Sequence, residues 1–190
     1  NQWGTKFMQK RLATLKIETD PYMMQKQEVV DAIWASKSAN ANLAYYLSNR
    51  LGFPTYRNTE VKYFPLGEYK FKAMVEELRK AEQFIFMEYF IVEEGYMLDV
   101  ILKILRQKAA EGVEVRFMYD GMCEFALLPH DYPKRLAELG IQCKMFAPVS
   151  PFVSTHYNYR DHRKILVVDG HTAFTGGVNL SYEYINHIQR

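Results

Sequence analysis

Cysteine is scarce in this chain. The 190 residues include two cysteines, Cys123 and Cys143, and these form no Cys-x-x-Cys pair. Their spacing gives no basis for a zinc knuckle or a disulfide framework. We therefore expect both thiols to be reduced, as in proteins of the cytosol.

The chain also lacks a strong excess of charge and any long apolar run. Its formal net charge is +2, which argues against a protein that binds nucleic acid mainly through electrostatics. No apolar stretch approaches the length that crosses a bilayer. Phosphate-loop, nucleophile-elbow and zinc-protease motifs are missing as well.

What is present is an alternation of helical and strand patterns. Hydrophobic residues make up 48% of the chain and aromatic residues 15%, enough for a sizeable core. Amphipathic helices are predicted at 68–80, 97–110 and 133–139, and strands at 83–92, 113–119 and 141–146. This order predicts an α/β fold with helices packed on a mixed, largely parallel sheet.

The N-terminal part has a different character. Residues 1–24 are polar and basic without a clean apolar face, which predicts a solvated connecting segment. Residues 25–50 predict an imperfect helix, and the alternation over 60–64 predicts a short strand. We therefore predict an N-terminal linker and helix over 1–50 and a second domain over 51–190.

The most informative stretch lies near the C-terminal end. An apolar run at 165–168 and the turn after Asp169 predict a strand and a hairpin, with a second strand at 172–175. Alternation along the strand would place His162 and Lys164 on one face and Arg163 on the other. An imidazole can attack phosphorus or carry a proton, and an ammonium can neutralise phosphate oxygens.

The segment after the hairpin adds groups suited to phosphate binding. Gly176 and Gly177 let backbone N–H groups approach a ligand closely, and Asn179 offers a neutral amide donor. Asp169 is better suited to bracing the turn or Lys164 than to reacting. Each residue has an ordinary structural explanation by itself, but the combination and its order favour a phosphate site.

These residues resemble the signature of the phospholipase D superfamily, His-x-Lys-x4-Asp followed by Gly-Gly-x-Asn. The flanking residues 158–164 and 173–179 are most similar to its bacterial cardiolipin synthase branch. Nuclease members more often carry Gly-Ser in place of Gly176-Gly177. Asp161 departs from the branch, which usually has Asn at that position.

The resemblance implies a phospholipase D-like half-domain with an N-terminal helical extension, and a function. The expected reaction joins two phosphatidylglycerols into cardiolipin and glycerol through a phosphohistidine, with His162 as nucleophile. Lys164 and Asp169 would complete the catalytic group, and Gly176, Gly177 and Asn179 would bind the substrate phosphate. No metal or organic cofactor is required, and nucleic acid is not an expected partner.

The reaction needs two histidines that face each other, and the chain carries one signature. We therefore expect an N-terminal half, truncated at its C-terminal end and inactive alone, completed by a second half or a second copy. The resemblance places the parent protein (the longer protein that would contain this chain) at the cytoplasmic face of the cell membrane. The fragment itself is expected to be soluble.

Glu88 lies within an otherwise apolar strand, where an unpaired carboxylate is costly. It would either orient His162 or Lys164, or form a structural ion pair with a Lys or Arg. Asp120 lies at the C-terminal end of a predicted strand, where α/β proteins place ligand contacts, but it would equally begin a turn.

Three other functions stay open. They are a homodimeric phosphodiesterase or nuclease, a non-catalytic module that binds anionic headgroups, and a metal hydrolase. The last would use His156, Asp161, His162 and Asp169, whose spacing matches no recognised ligand set. The loop at 147–160 would line an entrance for acyl chains with Phe152, Tyr157 and Tyr159, or would merely cover the sheet edge.

Overall fold

The computed structural model describes residues 2–37, 39–149 and 160–186. The chain divides into two compact units, residues 1–62 and residues 63–190. The domain boundary predicted after residue 50 stays a prediction. No helix in the described ranges is both long and apolar enough to span a membrane.

The first unit contains three helices. They are α1 (Gln2–Thr19), α2 (Gln27–Ala35) and α3 (Asn40–Leu51), with a 3-10 turn at Asp20–Tyr22. The solvated connecting segment predicted over 1–24 contains α1, whose described side chains are exposed and which has no apolar stripe; its connecting role stays a prediction. The helix predicted over 25–50 is two helices, broken near the polar stretch where Lys37 has a φ of 51°.

The strand predicted at 60–64 is absent from the structure. Val61 and Tyr63 are 85% and 83% exposed, and no neighbouring strand pairs with this segment in the part of the chain that is described. Alternation alone predicted a strand, but a strand also needs a hydrogen-bonding partner.

The second unit is built on a five-stranded sheet in the order β3-β2-β1-β4-β5. The strands are β1 (Phe84–Tyr89), β2 (Glu114–Asp120), β3 (Gln142–Phe146), β4 (Lys164–Val168) and β5 (Thr172–Thr175). β1 pairs in parallel with β2 and β2 with β3, whereas β4 runs antiparallel to both β1 and β5. Only β4 opposes the common direction, so the predicted mixed, largely parallel sheet is confirmed.

Helices cover one face of this sheet. They are α4 (Gly67–Lys80), α5 (Tyr96–Ala110), the short α6 (Met122–Ala126) and α7 (Tyr132–Glu138). Their apolar side chains, such as Met74, Leu78 and Ile101, form a core with the inward residues of the strands, including Ile85 and Leu166. The helix and strand predictions from residue 68 onward are confirmed to within a few residues.

The hairpin between β4 and β5 turns at Asp169 and Gly170. Both have positive φ, 51° and 71°, and the N–H of His171 donates to the carbonyl of Val168 at 3.1 Å. Asp-Gly suits such a turn because both residues tolerate the left-handed region.

The end of β1, the start of β4 and the end of β5 lie together at one edge of the sheet. Tyr89 at the end of β1 is paired with Lys164 at the start of β4, and Ile165 is paired with Thr175 at the end of β5. The segments after β1, before β4 and after β5 therefore meet at this edge. These are the segments that carry the predicted site residues.

Candidate active site

His162 and Lys164 lie against the same aromatic ring. The ring of His162 is 4.7 Å from the ring of Phe90, centroid to centroid, and Nζ of Lys164 is 5.1 Å from that centroid. His162 is exposed and precedes the strand, which begins at Lys164, slightly later than the predicted alternation assumed. The imidazole and the ammonium nevertheless both contact the ring of Phe90.

Cys123 forms hydrogen bonds with the backbone at Phe90 and Val92. The Sγ of Cys123 donates to the carbonyl of Phe90 at 3.1 Å and accepts from the N–H of Val92 at 3.3 Å. Burial raises the pKa of Cys123 to about 11, so the thiol stays protonated and can donate. Both cysteines are free, in line with the expectation of unpaired thiols.

Lys164 is buried, at 4% exposure. Its ammonium donates to the main-chain carbonyl of His162 at 2.6 Å. Burial lowers the pKa of Lys164, and the negative charge of Asp161 acts in the opposite direction. A partly desolvated cation next to an exposed imidazole is suited to binding an anion.

Asn179 connects the signature to β1. It is buried, its Oδ1 accepts from the N–H of Ile91 at 2.9 Å, and its Nδ2 donates to the hydroxyl of Tyr184 at 2.9 Å. One of the two amide hydrogens is therefore used within the protein, and the role predicted for Asn179 in phosphate binding stays a prediction.

The two glycines differ in their surroundings. Gly176 has a φ of 138°, a conformation that other residues adopt with strain. Gly177 has an ordinary φ, and a Cβ placed on it would meet nothing within 4 Å among the described atoms. Within the described residues, therefore, no side chain or backbone segment packs against this face of Gly177.

Asp169 lies at the other end of β4 from Lys164. Its carboxylate accepts three backbone N–H groups at 2.8 Å, from Glu82, Gln83 and Phe84. Burial opposes ionisation, but these donors outweigh it and hold the pKa of Asp169 below its ordinary value. The carboxylate thus braces the hairpin against the start of β1, and no observation tests a catalytic role.

Glu88 belongs to a cluster with Arg163 and Asp161. Its Oε1 lies 2.9 Å from Nε of Arg163, but that N–H is directed at Asp161, 2.8 Å away, so this oxygen accepts no hydrogen bond. Burial and the carboxylate of Asp161 raise the pKa of Glu88 to about 7. Glu88 is thus placed in an ion cluster with Arg163, and an effect on His162 or Lys164 stays a prediction.

Asp161 accepts hydrogen bonds from the side chain and the backbone of Arg163. Burial opposes its ionisation, but hydrogen bonds from the side chain and the N–H of Arg163 hold the pKa of Asp161 below its ordinary value. Asp161 therefore offsets the positive charge of Arg163.

Asp120 supports the segment that leads into the signature. It is 1% exposed, and its carboxylate accepts from Arg160 at 3.3 Å and from the N–H of Asp161 at 3.3 Å. It also accepts from the N–H of Met122 at 2.9 Å. Asp120 thus begins the turn and also positions the residues just before His162. Its place at the end of a strand did not by itself predict the second role.

Some predicted residues lie outside the described ranges. His156 and the aromatic residues Phe152, Tyr157 and Tyr159 all fall within 150–159. Among the residues that are described, no group of three or more His, Cys, Asp or Glu side chains could hold a metal ion.

The sequence was compared with families of known proteins. A family model described as "Cardiolipin synthase, PLD-like domain" matches residues 74–189. The chain belongs to this family. The resemblance noted from the signature is thereby confirmed.

Curated relatives of the family are longer than this chain. It is 40% identical to a cardiolipin synthase from Halalkalibacterium halodurans over 144 residues, 75% of this chain and 28% of that protein. It is 52% identical to an uncharacterized protein from Streptococcus mutans over 188 residues, 99% of this chain and 41% of that protein. The chain thus spans less than half the length of these relatives.

A solved structure supports the fold. NucT from Helicobacter pylori superposes with a TM-score of 0.51 at 13% sequence identity, covering 66% of this chain and 76% of that chain. At this identity the likeness concerns the fold alone.

Proposed function

We propose that this chain is the first half of a phosphatidyltransferase that joins two phosphatidylglycerols into cardiolipin and glycerol. The observation that carries the proposal is that the His162 imidazole and the Lys164 ammonium both contact the ring of Phe90. Membership of the cardiolipin synthase PLD-like family supports the choice of substrate.

His162 is the proposed nucleophile. Its ring nitrogen attacks the phosphorus of phosphatidylglycerol, a P–N bond forms, and the P–O bond to glycerol breaks. A second imidazole gives a proton to the departing glycerol, then takes one from the hydroxyl of the incoming phosphatidylglycerol. That hydroxyl oxygen attacks the phosphohistidine, breaks the P–N bond and yields cardiolipin.

Lys164 and the signature loop would stabilise charge during both steps. The Lys164 ammonium is partly desolvated and lies beside His162, so it can neutralise the phosphoryl oxygens as their charge grows. The second hydrogen of the Asn179 amide and the backbone at Gly177 are proposed to face the same oxygens. Asp169 would act through the position of the hairpin.

The second imidazole has to come from outside the described site. We propose that the remaining half of the parent protein or a second copy supplies it, at the cytoplasmic face of the membrane. The chain would then be inactive alone.

The test follows lipid products in phosphatidylglycerol vesicles. The parent protein should form cardiolipin and free glycerol, His162→Ala should abolish both, and the 190-residue chain alone should form neither. His130→Ala is the matched control, because its imidazole is 97% exposed and its ion-pair partner is Glu124, which is not a signature residue.

Other products would decide against the transferase. Phosphatidic acid in place of cardiolipin would indicate a hydrolase. Cleavage of nucleic acid with no lipid product would indicate a nuclease, and headgroup binding without turnover would indicate a binding module. Cardiolipin formation by His162→Ala would remove His162 from the mechanism.

A further inference from the structure

A second lysine lies buried next to the signature loop. Lys70 on α4 is 5% exposed, and its ammonium donates to the carbonyl of Thr175 at 3.3 Å. Thr175 ends β5 immediately before Gly176 and is paired with Ile165, the neighbour of Lys164. Lys70 therefore reaches the edge of the sheet at which the site is assembled.

The charge of Lys70 is poorly compensated. Within residues 2–37, 39–149 and 160–186, no carboxylate lies within salt-bridge distance of it, and the bond to Thr175 uses one of its three donors. Removing an ammonium from water without a counter-charge is unfavourable. Burial lowers the pKa of Lys70 accordingly. An anion bound nearby would offset this cost.

Gly176 is the residue of the signature loop that lies next to the ammonium of Lys70. A Cβ on Gly176 would lie 3.8 Å from Nζ of Lys70, so the glycine places no side chain between the ammonium and the loop. At the next residue, Gly177, an added Cβ would meet no described atom within 4 Å. An anion held at this loop would be close to Lys70.

The start of α4 is fixed to the same region by other contacts. A Cβ on Gly67 would collide with the carbonyl oxygen of Tyr184, and the hydroxyl of Tyr184 accepts from Asn179. Asn186 donates to Glu68 at 2.6 Å. The helix end that carries Lys70 is therefore packed on the segment that follows the signature.

We propose that Lys70 supplies a second buried positive charge to the phosphate site, behind Gly176 and in addition to Lys164. It attracts the phosphodiester of the substrate to the loop at Gly176 and Gly177. The inference rests on the proposed function only for the identity of that phosphodiester. The anion site itself is a property of this chain.

The first experiment titrates the 190-residue chain with inorganic phosphate. Wild type should bind it saturably, and Lys70→Met should weaken binding about tenfold or more, since a charge-assisted contact is lost. Lys72→Met, on an exposed position of the same helix, is the control and should bind as wild type does. Equal binding by Lys70→Met, or no binding by wild type, would overturn the proposal.

A second measurement needs no substitution. With lysine side chains labelled at Cε, NMR should show the pKa of Lys70 rise when phosphate saturates the site, because a nearby anion favours the charged ammonium. A lysine that only holds the Thr175 carbonyl would show an unchanged pKa. That result would overturn the proposal even if Lys70→Met failed to fold.

Activity of the parent protein separates the two proposals. If Lys70→Met raises KM for phosphatidylglycerol while cardiolipin is still the product, both stand. If the chain binds phosphate through Lys70 but the parent protein makes no cardiolipin, only the proposed function fails. If cardiolipin forms with unchanged kcat and KM in Lys70→Met, only the role of Lys70 fails.

Discussion

Lys164 donates a 2.6 Å hydrogen bond to the main-chain carbonyl of His162. The cation that would bind phosphate thus also fixes the backbone of the residue that would attack it. A phosphate entering the site would compete with this carbonyl for the donors of Lys164. In the proposed mechanism, Lys164 would therefore have two functions, one electrostatic and one in positioning His162.

We expect Lys164→Met to reduce cardiolipin formation by the parent protein about 10²- to 10³-fold, as for loss of one charge-stabilising donor. Kinetics in phosphatidylglycerol vesicles, with thermal unfolding to confirm the fold, measure this loss. Lys103→Met, on an exposed position of α5, is the control and should keep wild-type rates. Activity within twofold of wild type in Lys164→Met would contradict the assignment.

We expect Asp169→Asn to destabilise the second unit by about 1.5–3 kcal/mol, the usual range for hydrogen bonds to a charged group. The amide keeps one acceptor oxygen but turns an NH2 group toward a backbone N–H. Urea denaturation at pH 7 measures the loss, and Glu76→Gln, on an exposed position of α4, is the control. Unchanged stability in Asp169→Asn would show that the three contacts contribute little.

We expect the stability difference between wild type and Asp169→Asn to depend on pH in the acid range. The pKa of Asp169 is lowered in the folded protein, so its contribution to stability is present above its ordinary pKa. That contribution is lost as pH falls through the folded pKa. Below about pH 4 wild type and Asp169→Asn should converge in stability, and a constant difference down to pH 2 would contradict this account.

For Glu88 we expect stability to change with pH in the opposite direction. Its pKa is raised to about 7, so the folded protein binds a proton more tightly than the unfolded chain does. Its contribution should be greatest below the ordinary pKa and should be lost as pH rises toward 7. Glu88→Gln should flatten the stability profile between about pH 4.5 and 7, as measured by urea denaturation at half-unit intervals.

Asp161→Asn provides the matching test for this cluster. Removing the charge of Asp161 should lower the pKa of Glu88, with the part due to burial remaining. Carbon-13 NMR of the glutamate carboxyl carbons measures the change. An unchanged Glu88 pKa in Asp161→Asn would show that the two carboxylates do not interact.

We expect Gly177→Ala to fold normally and to impair turnover in the parent protein. The added Cβ meets no atom of the described residues within 4 Å, so a rise in KM for phosphatidylglycerol would report contact with the substrate. Gly176→Ala should instead lose about 1–3 kcal/mol of stability, because its φ of 138° is strained for alanine. Wild-type KM in Gly177→Ala would remove this residue from the phosphate site.

The sequence predicted most of the second unit because periodicity and packing agree there. α4 and α5 have apolar residues at helical spacing and bury them against the sheet. α1 was missed because it has no apolar stripe. The strand at 60–64 was wrongly predicted because alternation cannot show whether a partner strand is present.

The site was predictable where its residues are contiguous. His162, Lys164 and Asn179 stand in one short signature, whereas Lys70 and Cys123 reach it through tertiary packing. A lysine on an amphipathic helix is usually solvated, and nothing in the local pattern around Lys70 indicates otherwise. The contact of Lys70 with Thr175 joins residues 105 positions apart, which only the folded chain reveals.

Two polar side chains of the signature form hydrogen bonds at the two ends of β1, a strand that lies more than 80 residues earlier in the sequence. Asp169 accepts from the backbone N–H groups at 82–84, where β1 begins, and Asn179 accepts from the N–H of Ile91 just after β1 ends. Transplanting residues 162–179 into another scaffold would therefore carry the reacting groups without their anchor. Conversely, a cut in the exposed turn at 111–112 would leave β1 on one piece and both anchoring side chains on the other, so these hydrogen bonds would all lie between the two pieces.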